Sequence, residues 1–117
     1  MFDQSNRRSD KRVVRREALS LTIIFTSQNP SLLGRTITGS TLDISASGLG
    51  LILDTELPTD STIDLSIILT GDTKEFFLSG KVCWCREVEE GMYKIGIILN
   101  DLINTESDLK RWRKALK

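Results

Sequence analysis

The 117-residue sequence contains no histidine. That absence excludes Ser-His-Asp and Cys-His catalysis and metal sites built on imidazole. Cysteine is scarce: Cys83 and Cys85 stand alone, two positions apart. Two thiols cannot fill a tetrahedral zinc site. On a strand they would point the same way with Cα atoms roughly 6.5 to 7 Å apart, at the limit for a disulfide. They read as two small hydrophobes on one strand face. No run of about 18 apolar residues exists, so a transmembrane helix is not expected. The N-terminus, MFDQSNRRSDKR, has no apolar stretch like that of a secretory leader, which places the expected chain in the cytoplasm, away from membranes. No phosphate-binding glycine loop precedes a helix, and Gly48-x-Gly50 leads into a strand instead. The acids Glu87, Glu89 and Glu90 fall in a turn, where carboxylates are solvated. No enzyme activity, cofactor or metal is therefore expected.

What remains is an ordinary soluble composition, 39% hydrophobic and 27% charged, in a chain long enough for one domain with a real core. The formal net charge is zero, yet it is unevenly spread. Residues 7–16 (RRSDKRVVRR) hold six basic residues and one acid, a net of +5, which leaves −5 on the rest. A basic segment on a mildly acidic body points to an anionic partner. Residues 1–16 show neither helical nor strand period and read as a flexible arm that orders on binding.

From Glu17 the pattern changes to a period of two. Leu19, Leu21, Ile23 and Phe25 alternate with smaller or polar residues, as in a half-buried strand. Residues 35–44 make a second strand whose phase slips between Ile37 and Leu42, which predicts a bulge near Gly39. Ser45-Ala46-Ser47-Gly48 is a tight turn. Leu49, Leu51 and Leu53 mark a third strand, and Ile63, Leu65, Ile67 and Leu69 a fourth. Phe76, Leu78, Val82 and Trp84 read as one face of a long fifth strand, and Tyr93, Ile95, Ile97 and Leu99 as a sixth. Six strands with short turns predict an all-β, antiparallel barrel or sandwich over 17–103.

Residues 104–117 read as a C-terminal helix. Asn104 or Thr105 can cap it, with Asp108 in a capping-box-like place after Thr105. Leu109, Trp112 and Leu116 form one apolar stripe facing the barrel.

Two motifs carry the functional signal. Arg8-Ser9-Asp10-Lys11-Arg12 is an R-x-x-x-R in the basic arm, and the spacing repeats at Arg12 and Arg16. Asp43-Ile44-Ser45-Ala46-Ser47-Gly48 is a D-x-S-x-x-G at a strand-to-strand turn. In this order, about 30 residues apart and flanking a strand pair, they resemble the PilZ family of cyclic di-GMP receptors. Arg7 before the first motif, the Gly80-Lys81-Val82-Cys83-Trp84 stretch and Tyr93-Lys94-Ile95-Gly96-Ile97 are similar to that family as well. The resemblance implies a six-stranded antiparallel β-barrel with a C-terminal helix, which the strand count reaches independently.

By this resemblance Arg8 and Arg12 are expected to meet guanine and phosphate. Asp43, Ser45 and Gly48 would form the floor of the pocket, with Arg7 on a second nucleotide. The chemistry suits these residue types. An arginine fork matches the adjacent O6 and N7 acceptors of guanine, contributing roughly 1–3 kcal/mol of discrimination. Arginine also reaches phosphate through charge-assisted bonds. A carboxylate accepts from N1–H and N2–H on the opposite edge. The expected activity is non-catalytic: a receptor that changes conformation with cyclic di-GMP and signals to a downstream protein, as a monomer or an oligomer. A degenerate PilZ-like interaction module that binds no nucleotide is the alternative. DNA binding is not expected, because the body lacks exposed aromatics interleaved with basic residues.

Overall fold

The computed structural model describes residues 11–71, 75–100 and 108–116. Within them the chain forms strands β1 (Val13–Val14), β2 (Ala18–Phe25), β3 (Thr36–Ile44), β4 (Gly48–Leu53), β5 (Thr62–Ile68), β6 (Glu75–Glu89) and β7 (Met92–Asn100), then helix α1 (Leu109–Ala115). All the pairings are antiparallel, in the order β1-β3-β2-β5-β6-β7-β4, and β4 pairs back onto β3. The six long strands thus close into a barrel, as the sequence predicts.

Period-two alternation places the core. Leu19, Leu21, Ile23, Leu49, Leu51, Leu53, Ile63, Leu65, Ile67, Leu78, Ile95 and Ile97 are buried inside. Each such side chain contributes roughly 1.5–3 kcal/mol relative to exposure, which offsets the cost of ordering so many non-local strands.

The breaks in alternation decide what faces the site. In β3 the register against β4 shifts between Thr41 and Asp43. The bulge is therefore at Leu42 and not near Gly39, where the sequence pattern puts it. Gly39 instead marks a close approach: a Cβ there would lie 2.3 Å from Leu53 Cδ2 and 2.7 Å from the Ile52 carbonyl oxygen. A second shift falls between Val82 and Trp84 of β6. It turns Trp84 out of the row of Phe76, Leu78 and Val82, so Trp84 is 40% exposed whereas the other three are buried. The sequence reading of one shared face holds only as far as Val82.

Strand pairing also begins before residue 17, where the expected barrel boundary lies. β1 continues the line of β2 along β3, with Val13 opposite Ile44 and Val14 opposite Asp43. Between β1 and β2 the buried Thr41 bridges the irregularity: its hydroxyl donates to the Arg15 carbonyl at 2.6 Å and accepts from Glu17 N–H at 2.8 Å. Glu17 is buried as well. Its carboxylate pairs with Arg15 at 2.6 Å and accepts from the Thr70 N–H and hydroxyl. A buried carboxylate needs such partners.

Helix α1 packs on β6 through Leu109 and Trp112, both buried, with Leu116 half-buried. Trp112 meets Phe76 edge-to-face, centroids 5.3 Å apart at 83°. The candidate caps Asn104 and Thr105 lie outside the described residues. Asp108 stands at the N-cap position without a side-chain capping bond. Its carboxylate accepts instead from Phe77 N–H at 2.9 Å, and its own N–H donates to the Phe77 carbonyl at 2.8 Å. Asp108 therefore acts as a one-residue strand partner for β6.

Candidate functional site

Arg12 and Asp43 are brought together. The barrel holds Asp43 on β3 directly after the Leu42 bulge, and β1 lays the N-terminal segment alongside it. Arg12 Nη1 donates to Asp43 Oδ1 at 2.8 Å, with the two side chains 54% and 28% exposed. A pair this exposed contributes little to stability, about 0–1 kcal/mol. Its charges remain within reach of a ligand.

The ground beside this pair is kept low by glycine. A single row crosses five strands: Val14 faces Asp43, Asp43 faces Gly50, Gly50 faces Gly96 and Gly96 faces Trp84. A Cβ on Gly50 would lie 3.0 Å from Asp43 Oδ1, and one on Gly96 only 2.3 Å from the Trp84 indole nitrogen. Asp43 thus leans over Gly50 and the Trp84 ring over Gly96. Arg86 stands over the same indole, 5.2 Å from its centroid. One edge of this shallow face carries a carboxylate and a guanidinium, and the other an aromatic ring with a second guanidinium.

The turn after β3 is closed on itself. Ser45 N–H donates to the Gly48 carbonyl at 2.9 Å, and the Ser45 hydroxyl accepts from Gly48 N–H at 3.1 Å and reaches the Gly48 carbonyl at 3.2 Å. Ser45 and Gly48 are both buried. A Cβ on Gly48 would lie 2.5 Å from the Ile97 carbonyl oxygen and 3.7 Å from Arg12 Nη2. These two residues therefore shape the turn beneath Arg12. Two carbonyls of the turn are anchored from behind: Ser47 O accepts from Leu99 N–H at 2.9 Å and Ser45 O from the Trp112 indole N–H at 2.9 Å.

Arg7 and Arg8 lie outside the described residues. Of the alternative spacing, Arg16 is exposed, while its neighbour Arg15 is tied to Glu17. Trp84 and Gly96 belong to stretches that already resemble the family, but the sequence does not place them, or Gly50 and Arg86, beside Asp43; the strand pairing does. A hollow of about 820 Å³ lies elsewhere. It is a wide groove over Ala18, Ser20, Ser40, Ile52, Ser66 and Met92, and it holds neither Arg12 nor Asp43. The charged face is the better candidate, since flat surfaces with convergent charged groups suit an anionic, planar ligand better than a mostly uncharged hollow does. No cluster that could hold a metal ion occurs among the described residues. No helix among them is long and apolar enough to cross a membrane.

A family model, the PilZ domain, matches residues 6–114. No curated protein matches the chain. Solved structures share its fold. The inhibitor of motility MotI/DgrA of Bacillus subtilis superposes with a TM-score of 0.65 at 13% identity, over 94% of this chain and 49% of that one. This chain thus spans about half the length of that protein. The PilZ domain of CeSA from a cellulose-synthesizing bacterium gives 0.57 at 18% identity, covering 91% of this chain and 97% of the other. The PilZ domain of YcgR from Escherichia coli, solved with c-di-GMP, gives 0.59 at 14% identity, covering 94% and 91%.

Proposed function

The chain belongs to the PilZ domain family, and from that premise we propose that it is a receptor for cyclic di-GMP that catalyses no reaction and signals through a protein partner. The observation that carries this reading is the Arg12–Asp43 pair, joined at 2.8 Å across 31 positions of sequence. It puts a guanidinium and a carboxylate, the two groups complementary to opposite edges of guanine, on one exposed face. The likeness to a PilZ domain solved with c-di-GMP supports the same ligand.

In the proposed mechanism Arg12, with Arg8 and Arg7 from the preceding segment, takes up O6/N7 and phosphate oxygens. Asp43 accepts from N1–H and N2–H. Ser45 and Gly48 hold the turn that sets Asp43 and Arg12 at their spacing. A ligand that bridges Arg12 and Asp43 fixes the N-terminal segment against β3 and so changes the surface offered to a partner.

Titration calorimetry with cyclic di-GMP, using cyclic di-AMP and GTP as controls, tests the reading. Saturable binding of the guanine dinucleotide alone is the expected result. No heat and no competition at high ligand concentration would replace it with the reading of a PilZ-like interaction module that has lost the nucleotide.

A further inference from the structure

Resting on that reading, we propose that Trp112 is a positioning residue for the nucleotide site, and that helix α1 is energetically coupled to ligand binding through it. Trp112 lies 67 positions from Ser45 and is wholly buried, yet its indole N–H donates to the Ser45 carbonyl at 2.9 Å. That carbonyl belongs to the turn whose other end, Gly48, underlies Arg12. Ser45 also follows Asp43 by two residues on the same strand end. The hydrogen bond therefore joins the C-terminal helix to the backbone that sets the Arg12–Asp43 face.

The bond sits where coupling is strongest. In a dry interior an unmade hydrogen bond is costly, so the carbonyl and the indole are effectively held together. The helix also meets the start of β6: Trp112 lies against Phe76, Arg111 over the Phe76 ring at 3.9 Å, and Arg111 Nη2 donates to the Glu75 carbonyl at 2.8 Å. The helix thus reaches the turn through Trp112 and the start of β6 through Trp112 and Arg111. A shift of the turn is felt as a shift of Trp112, and tightening of the turn by ligand tightens the helix. Coupling of this kind is reciprocal, so loosening the helix weakens ligand binding by the same factor.

The test compares three chains by calorimetry with cyclic di-GMP: wild type, Trp112→Phe and Ile67→Val. Trp112→Phe keeps an aromatic ring but removes the N–H. Ile67 is a core residue of β5 whose strand partner is Phe76, so Ile67→Val trims packing beside the ring that Trp112 meets while leaving the indole N–H in place. The expected result is a dissociation constant raised about 3- to 10-fold in Trp112→Phe, the size of one neutral hydrogen bond, and unchanged within twofold in Ile67→Val. In the wild type, exchange of the Trp112 indole proton and of the α1 amides is expected to slow on adding ligand, a readout that needs no substitution to fold. Equal affinity of wild type and a folded Trp112→Phe overturns the proposal, as does an equal loss in Ile67→Val, or indole exchange indifferent to ligand. A wild type that binds no cyclic di-GMP overturns the functional reading and this coupling with it, and so is distinguished from failure of the coupling alone.

Discussion

Arg12 donates to Asp43 across the junction of β1 and β3, so the one arginine of the first motif within the described residues is already bonded to the acid of the second. Each group serves as the other's stand-in for what a guanine would bring: the carboxylate for an acceptor edge, the guanidinium for a donor edge. A nucleotide bound as proposed would have to separate or bridge them, with affinity the net of that exchange.

Arg12→Ala, Asp43→Ala and Arg8→Ala should each weaken cyclic di-GMP binding by roughly 5- to 150-fold, the worth of one bidentate base contact. Arg12→Ala and Asp43→Ala should leave thermal unfolding nearly unchanged, because an exposed pair contributes at most about 1 kcal/mol. The double change Arg12→Ala/Asp43→Ala should cost less than the product of the two single effects, since the groups touch. Arg16→Ala should change affinity less than twofold if Arg8 and Arg12 are the operative pair. Calorimetry on the set, beside a melt of each, reads all of these; a 10-fold loss from Arg16→Ala would move the motif to Arg12 and Arg16.

Gly50→Ala should fold and still bind poorly. The new methyl would lie 3.0 Å from the end of the Asp43 side chain, which is able to swing aside. Gly48→Ala should instead fold poorly, because its methyl would lie 2.5 Å from a backbone oxygen of β7 that has nowhere to go. Overpacking against fixed backbone costs about 1–3 kcal/mol or more. Melting temperature and dissociation constant, measured on both, should move in opposite proportion; a Gly50→Ala chain with wild-type affinity would remove Asp43 from the binding face.

Glu17→Ala should lower stability by about 1–3 kcal/mol while leaving affinity within a factor of a few. It strips the Thr70 N–H and hydroxyl of their shared acceptor and leaves Arg15 without its carboxylate. Urea unfolding reads the loss. An unfolding midpoint equal to wild type would mean that water replaces the carboxylate at no cost.

The two thiols should alkylate at different rates. Cys83 is exposed, whereas Cys85 is half-buried. Burial pushes the Cys85 thiol above the usual range, Glu56 adds to the rise, and a backbone hydrogen bond at Leu57 opposes it. A raised thiol is less ionised at a given pH, and the thiolate is the reacting species. Timed iodoacetamide labelling at pH 8, read by peptide mass, should find Cys83 modified first and Cys85 catching up as pH rises. Equal rates at pH 8 would contradict the burial of Cys85.

Much of this fold is legible in the sequence. Alternation at Leu19, Leu21 and Ile23, or at Ile63, Leu65 and Ile67, is enough to name strands and their inner faces, because burial on one side enforces it. Asp43 and Arg12 are legible through motif spacing. What escaped lies where two strands decide jointly. The bulges at Leu42 and next to Val82 arise from pairing with β4 and β7, and a strand's own sequence does not hold that information. Hence Trp84 reads as core although it lies outside over Gly96. Gly50 and Gly96 look like ordinary strand glycines until the register puts them beside Asp43 and Trp84. Nor does the sequence show that the Ser45 hydroxyl bonds to Gly48 within its own turn.

Closing the barrel leaves β1 at the end of the strand order. A strand in that place invites pairing between copies. Here it is two residues long, and Lys11, Arg12, Arg15 and Arg16 flank it. Asp43 and Glu17 offset Arg12 and Arg15, and the remaining positive charge would oppose the approach of a second copy's edge. A dianionic ligand seated on the basic segment would cancel part of that charge. If cyclic di-GMP binds there as proposed, saturation with nucleotide would work against dispersal of the protein in solution, most strongly at low ionic strength, where screening is weakest.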